Sequence, residues 1–451
     1  MRDMETPICD FIHDYRLRGT VRMHMPGHKG IQITGPEPDD ITEIAGADQL
    51  YHATGIIRRS EENAAKLFGA ARTIYSAEGS SLCIRAMLML ACLRAAEKAI
   101  PMRLLAGRNA HWALMTAAAM LNVEIDWIYP GPDEGMLSCR ITPETLENQL
   151  KKHSYMAVYI TSPDYPGHMT DIRGLSAVCR RYGVPLMVDN AHGAYLRFMP
   201  EEDLHPVSQG ADLVCDSAHK TLMCLTGAAY LHISREASDE WIELADQAMS
   251  LFASTSPSWL ILQSLDRMNA LLAGEWPESL GKTIRKVGTL KEKLRKAGWE
   301  LVGDEPMKLT IAPKSRGMKG YELADVLRGN GVECEFADPD FMVMMPAPGL
   351  TDRDWYRLET VLLAIPQKKR MRDMAPAFPS PDRVCSVREA MLAPREMVPA
   401  EKAEGRILAD PCTGCPPAVP ILTAGERVTP EAICCFRYYG TGNIAVVKHE
   451  R

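Results

Sequence analysis

The sequence lacks an apolar run long enough to cross a membrane. Its longest apolar stretch, around Leu82–Ala99, is interrupted by Arg85, Arg94, Glu97 and Lys98. The amino-terminal segment also has no signal-peptide core. A net charge of -7 leaves no basic excess of the kind that nucleic-acid surfaces need. We therefore expect a cytoplasmic protein without a membrane or nucleic-acid partner.

Metal-site spacings and the common nucleotide-binding and hydrolase motifs are absent as well. The thirteen cysteines are odd in number and irregular in spacing, which favours reduced thiols. Cys412 and Cys415 form a C-x-x-C pair, but without a second pair or a nearby histidine a plain loop is favoured over zinc. His24 and His28 have helical spacing, but Pro26 lies between them. The sequence predicts no metal and contains no Walker, Rossmann, HExxH or nucleophile-elbow motif.

What the chain does contain is an alternation of short apolar strands and helices. The predicted strands are Thr73–Ser76, Arg103–Ala106, Ile125–Tyr129, Met156–Thr161, Leu186–Asp189, Leu213–Asp216 and Ala229–Ile233. Helices are expected from near Ser60 and over Leu82–Ala99, Thr142–Lys152, Gly174–Tyr182 and about 255–300. Strands apolar on both faces and separated by helices predict an α/β fold with a mostly parallel sheet. Such folds place their chemistry at the carboxyl ends of the strands.

A length of 451 residues predicts more than one domain. Residues 1–60 are rich in glycine, proline and histidine and are predicted to form an amino-terminal arm and loops. A large domain over 61–270 and a small α/β domain over 271–373 are expected to follow. The proline-rich stretch at 374–382 then indicates a linker to a last small unit ending at 451.

Two residues at predicted strand ends carry the main chemical signal. Lys220 follows one strand, and a Schiff base needs an amine in such a cleft. Asp189 ends another strand, where a carboxylate can pair with a pyridine nitrogen and keep pyridoxal 5′-phosphate (PLP) an electron sink. A surface lysine or a turn-capping aspartate explains either one alone. The occurrence of both residues at the ends of successive parallel strands predicts a PLP site.

Two further segments fit such a site less specifically. Gly79, Ser80 and Ser81 lie between a strand and a helix, where backbone N–H groups and hydroxyls can hold a phosphate. A simple helix cap explains them equally well. Glu78 beside a phosphate should point away. His111 follows a strand and could stack on a cofactor ring, although a lone histidine is more often structural.

These segments resemble the Orn/Lys/Arg decarboxylases, PLP enzymes of fold type I, in their short Gram-positive form. The segments that carry the resemblance are Met23–Lys29, Gly55–Ile57, Gly79–Ser81, Arg108–His111, Asp189–Gly193, Ser217–Leu222, Ser254–Asp266, Gly405–Ala409 and Pro416–Ile421. They follow the family's order over nearly the whole chain. The Ser217–Leu222 and Ser254–Asp266 segments are the most specific of them.

The resemblance implies roles for individual residues. Lys220 would carry the cofactor as a Schiff base, Asp189 would bind the pyridine nitrogen, and His111 would stack on the ring. His192 would lie on the substrate side of the cofactor. The side chains implied to hold the phosphate or to position the lysine are Ser80, Ser81, Ser217 and His219. Thr255 and Ser256 would reach the phosphate of a neighbouring subunit, which implies a homodimer or a higher homo-oligomer with shared sites.

The chain departs from the family pattern at several positions. Asn190 stands where glutamate is usual, Glu78 where asparagine or glutamine is usual, and Asp164 where threonine is commoner. Trp112 follows His111 in place of lysine, and the usual Leu-Thr-Gln-Ser becomes Leu-Thr-Gly-Ala from Leu225. Because the lysine, the aspartate and the phosphate turn survive, these departures concern the substrate rather than the cofactor.

The implied reaction is PLP-dependent decarboxylation of arginine, lysine or ornithine to an amine of the polyamine type and CO₂. Asp48, Asp164 and Glu335 are candidate partners for the cationic side chain, although a solvated surface carboxylate is the ordinary role of each. An aminotransferase, an aldolase or a non-catalytic PLP-binding paralogue are the alternatives. The decarboxylase-like arm and carboxyl-terminal unit weigh against the first two, and Lys220 with Asp189 weighs against the third.

Overall fold

The computed structural model describes residues 4–131, 134–411 and 417–448. Numbered in chain order, its helices are α1 Pro7–Leu17, α2 Ile56–Phe68, α3 Ser80–Glu97, α4 Trp112–Leu121, α5 Pro143–Leu150, α6 Ile172–Tyr182, α7 Ala218–Thr221, α8 Asp239–Ser250, α9 Trp259–Ala273, α10 Trp276–Lys296, α11 Gly320–Gly329, α12 Asp352–Ala364, α13 Val387–Leu392 and α14 Pro430–Tyr438. Its strands are β1 Arg72–Ser76, β2 Arg103–Gly107, β3 Glu124–Ile128, β4 Ala157–Thr161, β5 Leu186–Asp189, β6 Leu213–Asp216, β7 Ala229–Ile233, β8 Glu300–Val302, β9 Leu309–Ala312, β10 Phe336–Ala337, β11 Met342–Met344, β12 Arg395–Pro399, β13 Leu408–Asp410 and β14 Asn443–Val447.

The chain divides into two compact units, of which the first comprises residues up to Pro101, Leu150–Ser162 and Asp171–Ser279. Its sheet has the strand order β1-β7-β6-β5-β4. Strands β4, β5 and β6 are parallel, whereas β7 is antiparallel to both β6 and β1. Every residue of β5 and β6 is buried, as expected of strands that are covered on both faces.

Helix α3 is buried for the same reason as strands β5 and β6, because its sequence is mostly apolar. It is apolar around most of its circumference, and ten of its residues are buried. A helix without a polar face has to lie inside a protein. The indole N–H of Trp241, a residue of α8, donates a hydrogen bond to the carbonyl oxygen of Leu90 in α3 at 3.1 Å. This packing fixes the amino-terminal end of α3 beside the strand ends of the first unit.

The second unit comprises Met102–Gln149, Pro163–Thr170 and the chain from Leu280 onwards. It contains the parallel pair β2–β3, an antiparallel sheet of order β10-β11-β9-β8, and an antiparallel sheet of order β12-β14-β13. The last two sheets each have their own apolar core, built around Leu309 and Ile311 in one and around Leu408 and Val446 in the other. None of the helices in the described residues is long and apolar enough to cross a membrane.

All seven predicted strands are present, but three helix predictions were wrong. Helix α2 begins at Ile56 rather than near Ser60, because the Asp48 carboxylate accepts hydrogen bonds from backbone N–H groups at its start. The predicted long helix over 255–300 is two helices, α9 and α10, separated at Gly274. The arm contains helix α1, which the sequence analysis placed among loops.

Candidate active site

Lys220 lies on the short helix α7, directly after β6, so it stands at the carboxyl end of a parallel strand. Its Nζ atom is 3.0 Å from Nε2 of His192, which is buried. The structure therefore brings together two residues that were predicted from separate segments. An imidazole nitrogen that accepts from the lysine nitrogen also fixes the direction of the amine.

Asp189 ends β5 and is only 3% exposed. Its Oδ2 atom accepts a hydrogen bond from the Tyr159 hydroxyl at 2.9 Å, and its Oδ1 atom accepts one from the backbone N–H of Ala191 at 3.1 Å. The Cys215 thiol is 3.5 Å from the same Oδ1, and burial raises the pKa of this thiol well above its ordinary value. The carboxylate is therefore anchored from two sides in the interior of the unit.

A second buried carboxylate, Asp216, lies at the end of the neighbouring strand. Its Oδ2 atom accepts from Nε2 of His205 at 2.9 Å and of His232 at 3.1 Å, and its Oδ1 atom accepts from the Asn190 amide at 2.6 Å. Burial alone would raise the pKa of Asp216, but the two imidazoles hold this pKa well below its ordinary value. Burial lowers the pKa of His232.

These contacts assign a role to the Asn190 departure. A carboxylate can only accept, so both Nε2 atoms carry the hydrogen, and Thr73 (2.8 Å from Nδ1 of His232) donates to the opposite side of that ring. A glutamate at position 190 would place a second carboxylate against Asp216, whereas the asparagine amide donates to it. The group has the composition of a metal site, but hydrogen bonds account for its geometry.

The phosphate turn has the expected shape. Gly79 precedes α3 with φ of +74° and ψ of 176°, a backbone conformation that is essentially restricted to glycine. A Cβ atom at this position would meet nothing within 4 Å, so space is open in front of the helix. The Ser217 hydroxyl donates to Ser80 Oγ at 2.8 Å. The Glu78 carboxylate accepts from the Ser254 backbone N–H at 2.7 Å, so it is committed to that segment.

The first unit thus contains the three groups that PLP requires. Lys220 would supply the amine, Asp189 a buried carboxylate for the pyridine nitrogen, and the amino terminus of α3 an anion cradle next to the half-buried Ser80 and Ser81. The open space at Gly79 is what a phosphate group would fill. The residues present therefore fit the cofactor.

His219 and the Ser254 segment complete the first unit's candidates. Nδ1 of His219 is 2.8 Å from the Ala228 carbonyl oxygen, which also accepts the His219 backbone N–H at 3.1 Å. The imidazole therefore holds the turn that carries the lysine. Thr255 and Ser256 are exposed in the single chain. Their implied reach into a neighbouring subunit remains a prediction.

Of the remaining predicted residues, His111 belongs to the second unit, where it caps α4. Its Nδ1 atom accepts the backbone N–H of Ala113 at 3.1 Å, so Nε2 carries the hydrogen of the neutral ring. Stacking of this ring on the cofactor remains a prediction. Cys412 and Cys415 lie outside the described residues.

The three carboxylates proposed to bind the substrate differ in how many hydrogen bonds their oxygens already accept within the protein. Asp48 accepts from backbone N–H groups that include those of Thr54 and Gly55, at 3.0 and 2.7 Å. Asp164 is buried and accepts the backbone N–H groups of Gly167 and His168 at 2.8 and 2.7 Å, with the His168 ring at 2.9 Å. The hydrogen bond that the His168 ring donates to Asp164 raises the pKa of His168. Both aspartates therefore stabilise the backbone of the loops in which they lie.

Glu335 is different, because its side chain is exposed. Among the described residues, its Oε1 atom accepts one hydrogen bond, from the Tyr165 hydroxyl at 3.1 Å. One carboxylate oxygen and the remaining lone pairs are left for another donor. Of the three carboxylates, Glu335 therefore keeps the most acceptor capacity for a cationic group.

Comparison with known proteins identifies the family. The family model for the major domain of Orn/Lys/Arg decarboxylases matches residues 6–302. The chain belongs to this family. It is 28% identical to an arginine decarboxylase of Bacillus subtilis over 96% of this chain and 93% of that protein.

Solved structures confirm the expected fold. The constitutive lysine decarboxylase of Escherichia coli has a TM-score of 0.77 at 18% identity. The match covers 99% of this chain and 82% of the Escherichia coli chain. An alanine–glyoxylate aminotransferase from Nostoc has a TM-score of 0.54 at 18% identity. This match covers 68% of the present chain and 85% of the aminotransferase chain. This decarboxylase therefore has the PLP-dependent fold of type I and uses PLP as its cofactor.

Two residues of the site were missed by the sequence analysis. Tyr159 is two residues from the end of β4, and Asp216 was predicted only as the last residue of the strand before Lys220. Tyr159 is paired with Met187 of β5, two positions before Asp189, so the strand register brings its hydroxyl to the carboxylate. A polar residue within an otherwise apolar buried strand was the available signal in both cases.

Proposed function

We propose that this decarboxylase acts on a basic amino acid, with arginine ahead of lysine and ornithine, as a cytoplasmic homodimer that forms an amine of the polyamine type. The observation that carries the proposal is the set of Lys220, Asp189 and the α3 cradle in one unit. The full-length similarity to a protein named arginine decarboxylase supports arginine as the first candidate.

When bound, PLP supplies an electron sink for the bond that breaks at the substrate α-carbon. Asp189 would hold the pyridine nitrogen in its charged form, and the Tyr159 hydroxyl keeps that carboxylate in place. Lys220 would hold the cofactor and return a proton to the α-carbon. His192 directs the lysine nitrogen through their 3.0 Å contact. The hydroxyls of Ser80 and Ser217 would complete the phosphate cradle.

The substrate's cationic end would be bound by Glu335. A carboxylate can make two parallel charge-assisted hydrogen bonds to a guanidinium, which favours arginine over lysine. Glu335→Gln should therefore raise KM for arginine, with a smaller effect on kcat. Glu333→Gln is the matched control, because Glu333 is exposed and pairs with Arg328. Equal KM changes in both variants would remove Glu335 from the substrate site.

The deciding experiment incubates the PLP-saturated enzyme with arginine, lysine and ornithine and follows agmatine, cadaverine, putrescine and CO₂. We expect agmatine to form fastest. Keto acid formed with an added acceptor, and no amine, would instead establish transamination. Cofactor binding without any turnover would establish a non-catalytic paralogue.

The role of Lys220 is tested separately by borohydride reduction of the holoenzyme followed by peptide mapping. The phosphopyridoxyl group should be found on the peptide that contains Lys220 and should be lost in Lys220→Ala. Labelling of another peptide would reject the assignment.

A further inference from the structure

A cavity of about 560 Å³ lies in the second unit, among residues of β10, β13, α14 and β14. This volume is within the range of ligand-binding cavities. Its walls are unusually rich in aromatic rings, contributed by Tyr321, Phe336, Phe436, Tyr438 and Tyr439. Leu408, Ile421 and Leu422 add aliphatic surface. Lys220, Asp189 and the α3 cradle are not among the lining residues, so the cavity is not the site described above.

One carboxylate in this cavity has no cationic partner. Asp338 is 9% exposed, and its Oδ1 atom accepts the backbone N–H groups of Asp340 and Phe341 at 2.7 and 2.6 Å. Within the described parts of the chain, no lysine, arginine or histidine forms an ion pair with it. Its other carboxylate oxygen has no hydrogen-bond partner among the described residues, so it is available to a cation in the cavity that Asp338 lines.

The charges around the cavity leave a negative excess. Lys314 Nζ lies 2.8 Å from Asp340 and 3.3 Å from Asp373, and Lys319 lies 3.9 Å from Asp373. These groups and Asp338 amount to three carboxylates and two ammonium groups. The sum is one negative charge whenever Asp338 is ionised, and that charge belongs to Asp338.

The remaining charged and titratable groups do not change this balance. Asp410 pairs with Arg395 at 2.9 Å. The Tyr438 hydroxyl donates to Asp340 at 2.7 Å, and Tyr439 donates to Asp340 at 3.4 Å. Burial raises the pKa of both tyrosines, so their hydroxyls stay neutral. The hydrogen bonds of both hydroxyls to Asp340 orient the two phenol rings in the cavity wall.

We propose that this cavity binds a small organic cation, such as an alkylammonium ion with a short aliphatic stem, without covalent chemistry. Lys319 and Lys314 already lie over the rings of Tyr321 and Tyr438, 5.7 and 5.0 Å from the ring centroids, so a ligand cation would meet Phe336, Phe436 and Tyr439. Aromatic faces attract cations through their quadrupoles, and desolvation strengthens the attraction. Asp338 supplies the compensating charge, and the aliphatic wall accepts the stem. The inference is independent of which amino acid the enzyme decarboxylates, because it uses neither Lys220 nor Glu335.

The test uses choline as the probe, since its quaternary nitrogen cannot form an imine with the cofactor. The neutral isostere 3,3-dimethylbutan-1-ol is the matched ligand control. Met136 lines the cavity, so its methyl resonance in the methyl-¹³C-methionine holoenzyme reports occupancy. Met136→Leu assigns that resonance. Choline should shift it and bind at least about tenfold more tightly than the alcohol.

The variant test is Asp338→Asn, which removes the charge and keeps the shape. We expect an affinity loss of about tenfold or more. Asp325→Asn is the matched control, because Asp325 is an exposed residue of α11 that pairs with Arg328, and it should bind choline normally. Burial, with a smaller contribution from Asp340, raises the pKa of Asp338 to about 7. Because choline keeps its charge, its binding should strengthen as the pH rises through that value.

Several results would overturn the inference. They are equal binding of choline and the alcohol, a Met136 resonance that does not move, or undiminished affinity in a folded Asp338→Asn protein. If the variant does not fold, the comparison of the two ligands and the pH series on the unmodified enzyme still decide. Loss of decarboxylation in the substrate panel would leave this result untouched, so the two proposals fail separately.

Discussion

At the scale of single residues, the site depends on how one carboxylate is held. The Tyr159 hydroxyl and the Ala191 backbone N–H both donate to Asp189, which leaves the side chain little freedom. A carboxylate that must stay charged beside a pyridine nitrogen gains from such donors, because hydrogen bonds to the charged form favour it. If Asp189 binds the pyridine nitrogen, Tyr159 would act through Asp189 as a positioning residue.

Asp189→Asn should lower kcat/KM by several orders of magnitude, because a neutral partner leaves the pyridine nitrogen unprotonated. Tyr159→Phe should cost only about tenfold, since it removes one hydrogen bond to a charged group. Both are measured with the best substrate of the panel and by the visible spectrum of the holoenzyme. Near-normal activity in Asp189→Asn would remove it from the site.

The matched control for Tyr159→Phe is Tyr230→Phe. Tyr230 is equally buried in the same unit, but its hydroxyl has no hydrogen-bond partner among the described residues. Its loss should leave kcat/KM unchanged. Equal losses in the two variants would mean that the Tyr159 effect comes from packing rather than from its hydrogen bond.

Sequence reasoning reached Lys220, Asp189 and His192 because each occupies a short, recognisable segment. It could not reach the Tyr159–Asp189 hydrogen bond, because that contact joins residues thirty positions apart through the register of two strands. The same holds for Asp216, whose partners come from three separate segments. Contacts of this kind are fixed by tertiary structure, which leaves no local pattern in the chain.

At the scale of helices and strands, Asp48 acts as a distant cap. Its carboxylate accepts the backbone N–H groups of Gly55 and Ile57 at 2.7 and 3.2 Å, at the start of α2. Asp48→Ala should destabilise the protein by about 1–2 kcal/mol, the ordinary cost of a lost cap. The readout is the apparent melting temperature, with the ratio of activities on the three basic amino acids as the second measurement.

Asp14→Ala serves as the control, because Asp14 is exposed on α1. It should leave the melting temperature nearly unchanged. An Asp48→Ala protein of normal stability with an altered substrate ratio would return Asp48 to the list of substrate ligands.

The Asp164–His168 pair predicts a pH dependence. Asp164 raises the pKa of His168 in the folded protein, so the protonated ring stabilises the fold. This contribution is fully present below the unfolded pKa of about 6.5 and is lost as the pH rises through the higher folded value. His168→Gln should therefore lower the apparent melting temperature more at about pH 5.5 than at about pH 8.5.

His153→Gln provides the comparison, since His153 is exposed. Its effect should be small at both values of pH. A His168→Gln effect that is equal at both would show that the ring contributes through packing and not through its charge.

The same scale shows why strands were predicted better than helix ends. Strands β5 and β6 are apolar runs bounded by polar residues, and both matched their predicted bounds. Helix α1 was missed because its first turn is satisfied from far away. The backbone N–H groups of Ile8 and Cys9 donate to Asp266 at 3.0 and 2.9 Å. Thr6 occupies the N-cap position, but its side chain makes no capping hydrogen bond, so the first turn depends on this distant carboxylate.

At the scale of the whole molecule, the segment around Ser254 remains without a covering partner in the single chain. Thr255 and Ser256 are exposed, and Met223, Leu225 and Leu251 of the same unit are 56%, 51% and 59% exposed. Exposed apolar side chains beside a segment implied to serve another subunit are typical of a protein interface. We infer that two copies of this chain associate through this segment.

The inference predicts complementation between two inactive chains. One chain carries Lys220→Ala, and the other carries Thr255→Ala with Ser256→Ala. If each site combines Lys220 of one subunit with Thr255 and Ser256 of its partner, one of the two sites in a hybrid dimer is intact. Coexpression should therefore restore activity, up to about half of the unmodified dimer's activity per hybrid, whereas each variant alone stays weak.

A control coexpresses Lys220→Ala with Asp189→Asn. Both residues lie in the first unit of the same chain, so every site of that hybrid carries at least one defect and activity should not return. Full activity in a protein that light scattering shows to be monomeric would refute the shared site.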